Sequence, residues 1–110
     1  MLTKNDTQFA ELVNAIKSIF GDNTAQIILY GSYARGDNTQ SSDIDLMVLT
    51  DLHDTEIIEM EDVIADTAFD YELKEGVPVS INVKNLDHFT YWKNTLPYYR
   101  NIAKEGIILA

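Results

Sequence analysis

The chain has 110 residues, no cysteine, and 18 acidic against 8 basic side chains, giving a formal charge of −10. That length holds one hydrophobic core and hence one domain over residues 1–110, and the lack of cysteine excludes a disulfide scaffold or a thiolate metal site. So acidic a surface repels phosphate backbones, which argues against sequence-independent binding of nucleic acid.

The opening residues "MLTKNDTQFAEL" carry no apolar signal-peptide core, and no run approaches the roughly 20 apolar residues of a membrane span. The expectation is a soluble cytoplasmic protein without a membrane partner. Phe9, Leu12, Val13, Ile16, Ile19 and Phe20 recur at helical spacing, so residues 7–20 read as an amphipathic helix, stopped by Gly21-Asp22-Asn23. "AQIILY", residues 25–30, is a short β-rich run ending at Gly31. The "SYARG" that follows can start a short helical turn. "SDIDLMVLT" is a second strand in which Ile44, Leu46 and Val48 face one way and Asp43 and Asp45 the other. A helix capped by Asp54 then carries Ile57, Met60, Ile64, Ala68 and Tyr71 on one face and ends near Gly76. Between Asp51 and Glu75 ten acids meet one base, Lys74, which reads as a solvated helix face. "VPVSINV" alternates as a third strand, with Pro78 marking an edge or a strand start. From Leu86 onward two helical pieces are broken before Pro97 and closed by Gly106. Tyr91, Trp92, Tyr98 and Tyr99 pack these pieces onto the sheet or form an apolar patch for a partner. His53 and His88 are isolated surface or loop residues. This order gives an α/β (α+β) architecture: a small mixed sheet with helices packed on one side.

The chemistry concentrates between Leu29 and Leu49. Gly31 follows a strand, where a residue without Cβ lets other atoms approach the backbone. Ser32 adds a hydroxyl at the start of a turn whose free N–H groups attract anions, and Arg35 adds a fixed positive charge one turn on. Asp43 and Asp45 leave one strand face with Cα atoms about 6.6 Å apart, from a rise of ~3.3 Å per residue. Two carboxylates that close repel unless a cation lies between them. Mg²⁺ binds to a few carboxylates plus substrate phosphates, and two such ions can clamp the attacking and leaving oxygens of a phosphoryl displacement. The turn would then seat a nucleoside triphosphate beside metals held by the aspartates.

Gly31-Ser32, ten residues, then Asp43-Ile44-Asp45 resembles the signature of the DNA polymerase β-like nucleotidyltransferase superfamily. At background frequencies of roughly 5–7% per fixed position, four such matches occur by chance on the order of once in a thousand chains of this length. The fuller "LYGSYARGDNTQSSDIDLMV" is similar to the small bacterial branch, the minimal nucleotidyltransferases, and the C-terminal residues resemble that branch more loosely. The resemblance implies the polymerase β-like fold and transfer of a nucleoside monophosphate, AMP from ATP, to a hydroxyl with release of pyrophosphate. It implies Gly31 and Ser32 at the β- and γ-phosphates, with Arg35 steadying them. It implies Asp43 and Asp45 as catalytic ligands of a two-metal Mg²⁺ site. Members of that branch are often antitoxins to HEPN-type toxins, and some attach AMP to a tyrosine of the toxin. The superfamily's third carboxylate has no counterpart on "VPVSINV", where Ser80 would occupy the third position if that strand lies beside the second, and neither Ser80 nor Asn82 can act as a general base. Asp70 or Glu72 in the preceding helix would have to reach in instead. Two other readings remain open: a catalytically weak nucleotide-binding antitoxin that neutralises its partner by contact, and an aminoglycoside-like small-molecule nucleotidyltransferase.

Overall fold

A computed structural model describes residues 2–110, with side chains from Phe9 onward. Four strands, β1 (Thr24–Tyr30), β2 (Ile44–Thr50), β3 (Val79–Asn85) and β4 (Ile107–Ile108), form one sheet in the order β3-β2-β1-β4. β1 runs antiparallel to both β2 and β4, whereas β2 and β3 are parallel. Six helices accompany it among the described residues: α1 (Leu2–Phe20), α2 (Ser32–Arg35), α3 (Asp54–Glu59), α4 (Glu61–Glu75), α5 (Leu86–Trp92) and α6 (Pro97–Glu105).

The two faces of the sheet are unequal. On one, Ile27, Leu29, Ile44, Leu46 and Val48 pack against Phe9, Leu12, Ile16 and Phe20 of α1 and Ile64 and Tyr71 of α4. On the other, Ile28, Met47 and Leu49 meet Phe89 of α5 and Tyr99 and Ile102 of α6. The expected arrangement of helices on one side thus describes the long helices α1 and α4, and the short C-terminal helices additionally cover part of the opposite face. β2 is buried from Leu46 to Thr50 because it is central and covered on both sides. At the start of the strand only the face of Asp43 and Asp45 escapes this cover, while Ile44 between them is buried.

Three local expectations change. The helix expected from Asp54 to Gly76 is two helices, broken at Met60 (φ −98°, ψ 1°). The apolar spacing continues through the break and no Gly or Pro marks it. Asp54 is the first helical residue and not the cap. His53 precedes it, and its N–H donates to Glu56 Oε1 at 3.0 Å, the return half of a capping box. β4 was not anticipated, since two residues carry no periodicity. Pro78, by contrast, stands just before β3, which is an edge strand as its position implied.

Candidate functional site

The strand β1 ends at Tyr30, and Gly31 turns the chain with φ 75° and ψ −155°, a backbone conformation open essentially to glycine alone. Its carbonyl accepts from the N–H groups of Ala34 and Arg35, both at 3.1 Å, which closes the single turn of α2. The N–H groups of Ser32 and Tyr33 make no hydrogen bond to any described residue. Directly beside this turn stands the start of β2. A Cβ built on Gly31 would lie 2.5 Å from Asp45 Oδ2, so the glycine backbone and the carboxylate are in contact. The bend and the acids therefore share one side of the molecule.

Asp43 is exposed and Asp45 half-buried. The Asp45 carboxyl is raised above its ordinary value, first by burial, then by the negative charge of Asp43; Arg35 acts in the opposite direction. Asp45 thus feels both Asp43 and Arg35. Arg35, however, is held in exposed ion pairs, with Asp37 at 3.2 Å and Glu105 at 3.5 Å, and must leave them to reach a phosphate.

The register places Asp45 between Tyr30 of β1 and Ser80 of β3. Ser80 thus stands beside the acids on the neighbouring strand, at the position where a third carboxylate was sought. Asp70 and Glu72 do not reach this face. α4 packs on the opposite side of the sheet, with Asp70 in a cleft beside Glu11 and Leu12 and Glu72 at the outer edge of β3. Among the described residues no three His, Cys, Asp or Glu side chains gather into a metal-binding group. The donor set is nonetheless suited to Mg²⁺, which keeps several waters and takes one or two carboxylates plus substrate phosphates rather than an all-protein cage. A cation between Asp43 and Asp45 would also relieve the repulsion that raises Asp45.

Sequence reasoning missed the polar floor beside these acids. Asn82 Nδ2 donates to Tyr30 Oη at 2.8 Å, and Tyr30 Oη pairs with Tyr98 Oη, also at 2.8 Å. The Tyr30 hydroxyl is raised well above the usual phenol range, foremost by burial and then by Tyr98, so it stays neutral at any physiological pH. The alternation of Tyr30 onto the Asp45 face was available in the sequence; its partner Tyr98, 68 positions away, was not. Of the four C-terminal aromatics, Tyr99 is buried in the core and Trp92 packs against it, whereas Tyr91 and Tyr98 are exposed. His53 and His88 are exposed, as expected.

Residues 10–109 match the family model of the nucleotidyltransferase domain. The chain belongs to that family. This nucleotidyltransferase is 36% identical over 99 residues to a Methanocaldococcus jannaschii protein named as a putative protein adenylyltransferase, covering 90% of this chain and 91% of that one. A second protein of that organism with the same name is 27% identical over 117 residues, covering 86% and 80% of the two chains. In a crystal structure of a toxin–antitoxin with AMP-PNP, one chain shares the nucleotidyltransferase's fold, with a TM-score of 0.56 and 18% identity over 96% of this chain and 73% of that one. No described helix is long and apolar enough to cross a membrane.

Proposed function

We propose that the chain transfers AMP from ATP to a hydroxyl of a protein partner, with Mg²⁺ held by Asp43 and Asp45, and that it serves as the antitoxin to a HEPN-type toxin. The observation that carries this reading is the contact between the Gly31 backbone and Asp45 Oδ2, which leaves no room for a Cβ. Phosphate oxygens seated on the free N–H groups of Ser32 and Tyr33 lie beside the carboxylates that hold the cations. The names of the two archaeal relatives, and the toxin–antitoxin complex that shares the fold, support the choice of AMP and of a protein partner.

In this reading the partner's hydroxyl oxygen attacks the α-phosphorus, the bond to the β-phosphate breaks, and pyrophosphate leaves. Asp43 and Asp45 would hold divalent cations, which when bound would neutralise charge on the reacting phosphate. Gly31 and Ser32 orient the triphosphate, and Arg35 swings from Asp37 and Glu105 to add positive charge to it. The hydroxyl proton passes to water, because Ser80, beside Asp45, offers no base.

A second reading is favoured by the same Ser80: a nucleotide-bound protein that silences its partner by contact alone. Incubation with ATP labelled at the α-phosphate, Mg²⁺ and the protein encoded by the adjacent gene decides between them. Label on the partner, lost with Asp43→Asn, supports transfer. A stable complex that acquires no label supports contact.

A further inference from the structure

The outer edge of the sheet carries a surface that the chemistry above does not use. β3 ends the strand order, so one side of its backbone faces away from every other strand. The Pro78 carbonyl accepts from Ile44 N–H at 2.9 Å and so points toward β2. Backbone groups alternate along a strand, which turns the N–H and C=O groups of Val79, Ile81 and Val83 outward. No turn, loop or cap bond from a described residue reaches them. Proteins normally cover or blunt such an edge. Here only its ends are blunted, by Pro78 and the exposed Lys84, leaving an open run from Val79 to Val83.

The side chains of those three residues point toward α4 yet are only half-buried. A groove of about 510 Å³ opens over them, walled by Ala68 and by Phe69, which is 58% exposed. Glu61 and Glu72 also line it. The groove thus combines unpaired backbone groups, a row of apolar side chains at strand spacing, and a net negative lining in which Glu61 and Glu72 outnumber Lys84 at one end. The surrounding stretch from Asp51 to Glu75 carries ten acids against Lys74. A second copy of this chain would set those acids against their own kind, so the charge selects a basic occupant.

We propose that the β3 edge and its groove take an extended segment of the protein partner as an added strand. Its apolar side chains, at every second position, enter the groove, and flanking Lys or Arg meet Glu61 and Glu72. The inference rests on the reading that the chain acts on a protein. It also deepens that reading, because an added strand lies about 10 Å from β2, two strand spacings away. Its alternate side chains then emerge on the face that carries Asp45, and a hydroxyl among them is delivered to the acids.

The test uses the full chain, isotopically labelled, without nucleotide or Mg²⁺. The probe is a short peptide in which valine alternates with threonine, with lysines at both ends. Saturable shifts centred on the amides of Val79, Ile81 and Val83, with slowed hydrogen exchange there, are expected. A peptide of equal charge with a central proline should bind roughly tenfold more weakly, having lost about one net backbone hydrogen bond. Phe69→Asp, at an exposed site, should weaken the first peptide similarly. The proposal is overturned by equal binding of the two peptides, which would be charge attraction alone. It is also overturned by absence of saturable binding, by shifts confined to α5 and α6, or by an edge already protected through self-association. Peptide binding with no AMP transfer to the partner removes the catalytic reading only. Transfer to a partner that leaves the β3 amides unprotected removes only the added strand.

Discussion

Replacing Gly31 by alanine perturbs the fold and the site together, and the structure separates the two costs. At φ 75° and ψ −155° an L-residue is strained by about 1–3 kcal/mol. The new Cβ would also stand 2.5 Å from Asp45 Oδ2, forcing that side chain off its rotamer at a further cost of about 0.5–1.5 kcal/mol. The sum, about 1.5–4.5 kcal/mol, corresponds in a domain of this size to a fall in Tm of about 6–18 °C. Gly76→Ala is the control. It shares the positive φ (76°) but has nothing within 4 Å, so it should cost only the left-handed penalty of about 1–2 kcal/mol. Scanning calorimetry reads the folding cost, and titration with Mg·ATP the cost to the site. There, displacing a charge-assisted contact should weaken affinity roughly 10- to 100-fold for Gly31→Ala and leave Gly76→Ala unchanged. Adding Asp45→Ala to Gly31→Ala should recover the clash but not the backbone strain. If Gly31→Ala melts like Gly76→Ala and binds Mg·ATP normally, the turn is not the seat of the triphosphate.

Asp45→Asn should melt above the parent protein at pH 7 without metal. The folded Asp45 carboxyl is raised from 3.8, so between the unfolded and folded values the folded state holds more protons and stability falls as pH rises. The advantage of Asn should therefore shrink on acidification toward pH ~4, near the ordinary carboxyl range, as paired melting curves at the two pH values will show; an unchanged gap would refute the cause assigned. Ser80→Asp places a carboxylate beside Asp45 and should raise the rate of AMP transfer, by up to roughly 10²–10⁴-fold if it serves as the base, measured as label incorporation per unit time. No gain would move the proton acceptor elsewhere. Arg35→Gln breaks only exposed ion pairs and should leave the melting curve essentially unchanged, while the Kd for Mg·ATP rises roughly tenfold; equal affinity would leave Arg35 a surface residue.

Much of the architecture was legible because burial writes a period into the chain. The spacing of Phe9, Leu12, Ile16 and Phe20 marks α1, and the alternation around Asp43 and Asp45 marks the exposed start of β2. The glycine turn and the paired acids were equally readable, because only a few residue types suit those positions. Illegible were the break at Met60, where the apolar spacing runs on undisturbed, and the two-residue β4, held by pairing with β1. The second arises from a pairing distant in the chain, which local preference does not record.

By itself, the order of residues determined the class of fold, one face for the core and a glycine turn followed by a pair of acids. Local sterics and the alternation of side chains are enough for that. Tertiary structure alone decided that Gly31 touches Asp45, that Ser80 registers with it, that Tyr30 is locked between Asn82 and Tyr98, and that β3 is left open beneath an acidic helix. Each depends on which strand lies beside which, a choice made by the packing of the whole chain.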